Sequence, residues 1–137
     1  MAENHEFGKQ GEDEAEKLLK SKGFEILGRN IRFGGHEMDI VAKKEKLLVV
    51  AEVKTRSYSS MGEPEEFVSK KQQQNLIKAA NAYVVHKNLD VDVRFDIISI
   101  VKNQYQNTVR HIEDAFYPVM YEIYRAAPRY FLIKYYL

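Results

Sequence analysis

Residues 36–54 read HEMDIVAKKEKLLVVAEVK, and the pattern within them decides the fold. Leu47–Val53 is apolar almost throughout, as a buried strand is. Side chains alternate along a strand, so Leu48, Val50, Glu52 and Lys54 share one face, and Leu47, Val49, Ala51 and Val53 the other. Glu52 therefore ends an apolar row, where an uncompensated charge is costly. The residues around Asp39 supply a second strand, and the Lys/Glu-rich turn at Lys43–Lys46 joins the two into a hairpin whose loop length the turn residues leave open. An even loop places Asp39 opposite Val50 or Glu52, on the face of Glu52 and Lys54. An odd loop or a bulge sends it to the other face. In the even case the two carboxylates stand roughly 5–8 Å apart at Cβ. Two like charges at that range disfavour joint ionisation unless a divalent ion holds them. All-carboxylate ligation suits Mg²⁺ or Mn²⁺ rather than zinc.

Working outward, residues 4–22 predict a helix with Phe7, Gly11, Ala15, Leu18 and Leu19 in one stripe and Gly23 past its end. Phe24–Phe33 predicts a strand and Gly34-Gly35 a turn. Tyr58–Glu66 is loop by its Ser, Gly and Pro content. Residues 68–88 predict a second helix with Leu76, Ala80, Tyr83 and Val84 facing inward, Val93–Val101 a strand, and Thr108–Ile112 a short further one. A helix between the third and fourth strands implies a crossover. The expected class is α/β, a mixed sheet flanked by helices.

The 137 residues bound one domain, with 45% apolar and 30% charged residues and a net charge of only +1. A phosphate-binding surface must then come from local clustering rather than overall basicity. The absence of cysteine excludes disulfides and zinc–thiolate sites and suits a cytoplasmic location. No apolar leader and no run near eighteen apolar residues occurs, so neither export nor membrane spanning is expected. The last twenty residues, PVMYEIYRAAPRYFLIKYYL, are crowded with Tyr and Phe. Residues 117–137 are expected to form an extension packed on the domain of residues 1–116 or on a second subunit.

Glu12 lies on the border of the first helix's apolar stripe, from which it could reach Asp39 and Glu52. By itself it reads better as an acid answering the helix dipole. Lys54, one step past Glu52 on the same face, can orient or deprotonate a water and stabilise charge on a phosphate, and Val53 places a carbonyl between them as an extra metal ligand. Gln72 and Gln73 open the second helix on its inward side, where an amide needs partners. Arg56, Lys70, Lys71 and Lys78 form a basic rim suited to a phosphodiester backbone. His36-Glu37 invites zinc, but no HExxH helix is present.

These residues carry a likeness. Gly8-x-x-Gly11-Glu12-x-x-Ala15, Glu37-Met38-Asp39-Ile40-Val41-Ala42, Val50-Ala51-Glu52-Val53-Lys54-Thr55-Arg56, Arg94-Phe95-Asp96-Ile97-Ile98 and Ile112-x-Asp114-Ala115-Phe116 together resemble the YraN-type family of predicted endonucleases. That family is similar to the Holliday-junction resolvases of the PD-(D/E)xK nuclease superfamily. The resemblance spans residues 7–116. It implies a restriction-endonuclease-like αβββαβ core and Mg²⁺-dependent (or Mn²⁺-dependent) hydrolysis of DNA phosphodiester bonds. Branched or recombining DNA is the implied substrate class, and symmetric cutting would call for a homodimer. By the same resemblance Asp39 and Glu52 are the metal acids, Lys54 the motif lysine, Glu12 the helix-one glutamate and Arg56 the following basic residue. Gln73 best matches the helix glutamine, with Gln72 the fallback. The family's Gly-Gly-Glu-Ile-Asp appears here as Gly35-His36-Glu37-Met38-Asp39. The alternative expectation is a nucleic-acid-binding module that keeps the nuclease fold and cuts nothing.

Overall fold

A computed structural model describes residues 2–57 and 68–118. The expected loop at Tyr58–Glu66 and the aromatic extension past Pro118 lie outside the described residues. The chain runs α1 (Ala2–Ser21), β1 (Glu25–Phe33), β2 (His36–Lys44), β3 (Leu47–Arg56), α2 (Lys70–His86), β4 (Asp92–Lys102) and β5 (Asn107–Phe116). The five strands form one sheet in sequence order. Only β3 and β4 pair in parallel, because α2 carries the chain back between them; the other neighbours are antiparallel. The expected mixed α/β sheet is thus present, with β5 longer than its sequence pattern suggested.

Both helices stop where the chain can turn left-handed. Gly23 (φ 91°) donates to Lys20 O at 3.0 Å and Phe24 to Leu19 O at 3.0 Å; Asn88 (φ 51°) and Leu89 repeat those bonds on Val85 and Val84. At its other end α2 starts at Ser69, whose hydroxyl accepts the Gln72 N–H at 3.1 Å, so the helix begins two residues later than its apolar period implies. Gly34 and Gly35, both at positive φ between the paired residues Phe33 and His36, close the β1–β2 hairpin in two residues.

Each helix covers one face of the sheet. Ala15 and Leu19 of α1 pack with Ile40, Ala42, Val49, Ala51, Ile98 and Ile100, all buried. Leu76, Ile77, Ala80 and Tyr83 of α2 pack with Val41, Leu48, Val50, Val93, Phe95 and Ile97. The alternation read from β3 is the division between these two cores.

Candidate active site

The β2–β3 loop is the pair Glu45-Lys46, between Lys44 and Leu47, with Glu45 at φ 54°. That even count selects the same-face arrangement. The ladder holds one register as far as Ile40↔Ala51, which brings residue 39 to the level of residue 52. There the β1–β2 pair changes the face it offers. Ile40, opposite Arg29, joins the α1 core, whereas Met38, opposite Ile31, joins the α2 core, and Asn30 between them adopts φ 52°. Asp39 sits at this changeover. Its Oδ2 accepts the Val53 N–H at 2.9 Å, and its carboxyl lies within reach of the Glu52 charge.

Glu52 is only 6% exposed, at the end of the apolar row that buries it. Its Oε1 accepts Gln72 Nε2 at 2.7 Å and lies 3.4 Å from Lys54 Nζ. Burial, then the Glu52 charge, pushes Asp39 up to about 7, against the Val53 amide that pulls it down. Burial also raises Glu52, although the Lys54 charge and the Gln72 amide pull in the opposite sense. Both acids are therefore short of positive charge. Two converging carboxylates that resist joint ionisation fit a divalent cation, and Mg²⁺ needs only one or two carboxylates beside water and phosphate oxygens.

Glu12 comes near by close helix–strand contact. A methyl group added at Gly11 would overlap the Thr55 hydroxyl, so only glycine lets α1 lie this tightly on β3. The Glu12 side chain is 19% exposed and its Oε1 accepts Arg29 Nη2 at 3.3 Å and Asn30 Nδ2 at 3.1 Å. Its charge still reaches Asp39 and contributes to the raised pKa there. Among the described residues no three His, Cys, Asp or Glu side chains form a group able to hold a metal, so Glu12 stands beside the acid pair rather than within it.

The amide on Glu52 belongs to Gln72; the Gln73 side chain instead donates to Val68 O at 3.1 Å. Adjacent helix positions differ by about 100°, so packing admits only one of them to the site. Lys70 and Lys71 are exposed on the first turn of α2, beside Gln72. Arg56 is half-buried two residues beyond Lys54.

Sequence reasoning missed Arg29, which also binds Asp13 at 2.6 Å and has its own pKa raised by those acids against the opposing effect of burial. Nothing in the sequence marks it out, since its strand also carries Glu25, Asn30 and a second arginine, Arg32. It also missed what Asp96 does. That carboxylate is fully buried on the α1 side and accepts Arg94 Nε and Nη2 at 2.9 Å each and the Asp114 N–H at 3.0 Å, with His111 Nε2 at 2.7 Å. Burial would push it up, but these bonds outweigh burial and hold it below the usual range. Lys22 meets the other ring nitrogen of His111 at 2.7 Å, which ties the end of α1 to β5.

Among the described residues no helix is long and apolar enough to cross a membrane. The model of the uncharacterised protein family UPF0102 matches residues 11–100. The chain is 50% identical to a UPF0102 protein of Christiangramia forsetii over 117 residues, covering 85% of this chain and 98% of that one. A Flavobacterium psychrophilum relative is 46% identical over the same shares, and one from Phocaeicola vulgatus 46% identical over 86% and 98%. The chain belongs to UPF0102, the YraN-like family of predicted endonucleases whose likeness its motifs carry.

Proposed function

We propose that this protein is a metal-dependent DNA endonuclease, with Asp39, Glu52 and the Val53 carbonyl holding Mg²⁺ or Mn²⁺. One observation carries the reading: buried Glu52 and half-buried Asp39 stand at one level of the β2–β3 hairpin, both with raised pKa and Asp39 under the other's charge, with an ammonium group 3.4 Å from Glu52. N–H and C=O of one strand residue point to the same edge, so the Val53 amide on Asp39 aims the Val53 carbonyl the same way. When bound, the metal supplies Lewis-acid polarisation of the scissile phosphate. Lys54 orients the attacking water and balances charge building on the phosphate. Gln72, rather than Gln73, holds Glu52 in place. Glu12, held by Arg29 and Asn30, adds its charge beside Asp39, and Arg56, Lys70 and Lys71 take flanking phosphates. DNA with branches is the substrate class the family likeness suggests.

The rival is a nucleic-acid-binding module that does not cut. One observation favours it: Glu12 is held by Arg29 and Asn30 instead of joining the pair. Pure protein with Mg²⁺ or Mn²⁺, incubated with linear, flapped, single-stranded and four-way DNA, separates the two. Cleavage lost in Lys54→Ala supports the nuclease. Binding without cleavage, indifferent to metal and to Asp39→Ala, supports the module.

A further inference from the structure

The strand registers place more than the acid pair at this end of the sheet. Lys54 on β3 stands directly beside Ser99 on β4, and Ser99 directly beside Arg110 on β5. Directly paired residues share a face, so the three form one row across the sheet. The face is that of α2: one row back, Glu52 pairs with Ile97 and Ile97 with Ile112, and Ile97 and Ile112 belong to the α2 core. One row forward, Arg56, Val101 and Thr108 line up in the same way. Neither row contains an acid. Among the described residues, the acids that meet at the site (Asp39, Glu52, with Glu12 beside them) lie at β3 or on its β1–β2 side, and Glu14 answers Lys102 and Asn107 from α1 on the other face.

The row is held in place. Asn103 in the β4–β5 turn donates to Ser57 O, and Lys102 and Asn107 both reach Glu14 of α1 at 3.4 and 3.3 Å. The outermost strand is thereby anchored to the end of β3 and to α1. Arg110 is exposed, and Ser99 is 8% exposed between the two cations. Lys54 to Arg110 spans two strand spacings, roughly 10 Å, which is the reach of neighbouring backbone phosphates once long side chains are counted.

We propose that Ser99 and Arg110 bind the DNA phosphate adjacent to the scissile one, so that the cut strand leaves the acid pair across β4 toward the β5 edge. The assignment rests on the nuclease reading and adds a direction to it. Acids gathered on one side of Lys54 repel a phosphate backbone; the Lys54–Ser99–Arg110 row, which carries two cations and no acid, attracts it, and a guanidinium matches phosphate oxygens in pairs.

The test uses whichever DNA the wild type cuts. Arg110→Ala is expected to raise KM and the Kd measured by fluorescence anisotropy in EDTA about 5-fold at 0.1 M salt, with kcat unchanged, and to flatten the slope of log Kd against log salt by about one. Arg110→Lys keeps that slope. Ser99→Ala raises KM about 2-fold. Lys46→Ala, in the β2–β3 turn at the other end of the strands, changes none of these. A wild type that cuts, with Arg110→Ala matching it in KM, Kd and slope, overturns this assignment alone. A wild type that cuts no DNA overturns the nuclease reading and this assignment with it.

Discussion

Asp39 accepts the backbone N–H of Val53 at 2.9 Å, just past the last Ile40↔Ala51 pair of the ladder. A side chain thus takes over where strand pairing stops, and that bond brings the Asp39 carboxyl to Glu52 instead of letting it follow β2 away from β3. The desolvated pair that results has consequences in stability, in ion binding and in chemistry.

Stability should fall with rising pH because of Asp39. Its folded pKa is raised from 3.8 to about 7. The folded state therefore holds a proton that the unfolded state releases. Below pH 4 both forms are protonated and the group costs nothing. The cost grows between pH 4 and 7 and is complete above. Asp39→Asn removes it and is expected to stabilise by about 2–4 kcal/mol at pH 8, with no gain at pH 3.5. Urea denaturation at the two pH values measures this; equal gains at both would contradict it.

Divalent ions should reverse the same penalty. At tenfold excess over Kd, Mg²⁺ or Mn²⁺ is expected to add about 1.4 kcal/mol at pH 8 and markedly less at pH 6, where the pair must lose a proton to bind. Thermal melts with and without metal read it. Glu52→Gln should abolish the increment.

Of the two neighbouring glutamines, only Gln72 bonds Glu52. Gln72→Ala is expected to reduce kcat for DNA cleavage about 10-fold or more, roughly one charge-assisted hydrogen bond's worth. Gln73→Ala should act mainly on stability, by about 1 kcal/mol. Steady-state rates beside denaturation curves for both variants decide; the opposite order would restore Gln73 to the site.

Gly11→Ala would normally favour a helix, yet here the added methyl meets Thr55. A loss of about 1–3 kcal/mol is expected. Thr55→Ala in the same chain should recover most of it, which a double-mutant cycle measures as coupling.

Asp96 offers the opposite pH behaviour to Asp39. Its folded pKa is depressed, so its contribution is full above the unfolded value of 3.8 and lost as pH falls through the lower folded one. Asp96→Ala strands Arg94 and His111 and is expected to cost about 3–5 kcal/mol at pH 7. Acid denaturation profiles of wild type and variant should converge toward pH 2.

The strands, the two helices and the burial of Glu52 were legible in the chain because they rest on local periodicity. Leu47–Val53 alternates between two cores whatever surrounds it, and the stop at Gly23 needs only a residue at ease with positive φ. The chain also narrowed Asp39 to two faces without choosing. The choice fell to a loop parity set by Glu45-Lys46, whose residues carry no strong turn signal, and to the changeover at Asn30, which depends on how β1 packs. Likewise, Gln72 and Gln73 are chemically equal, and the rotation of α2 on the sheet is what admits one of them to Glu52. Residue type and spacing are properties of a line. Register, splay and helix rotation arise only when distant segments compete for the same buried volume.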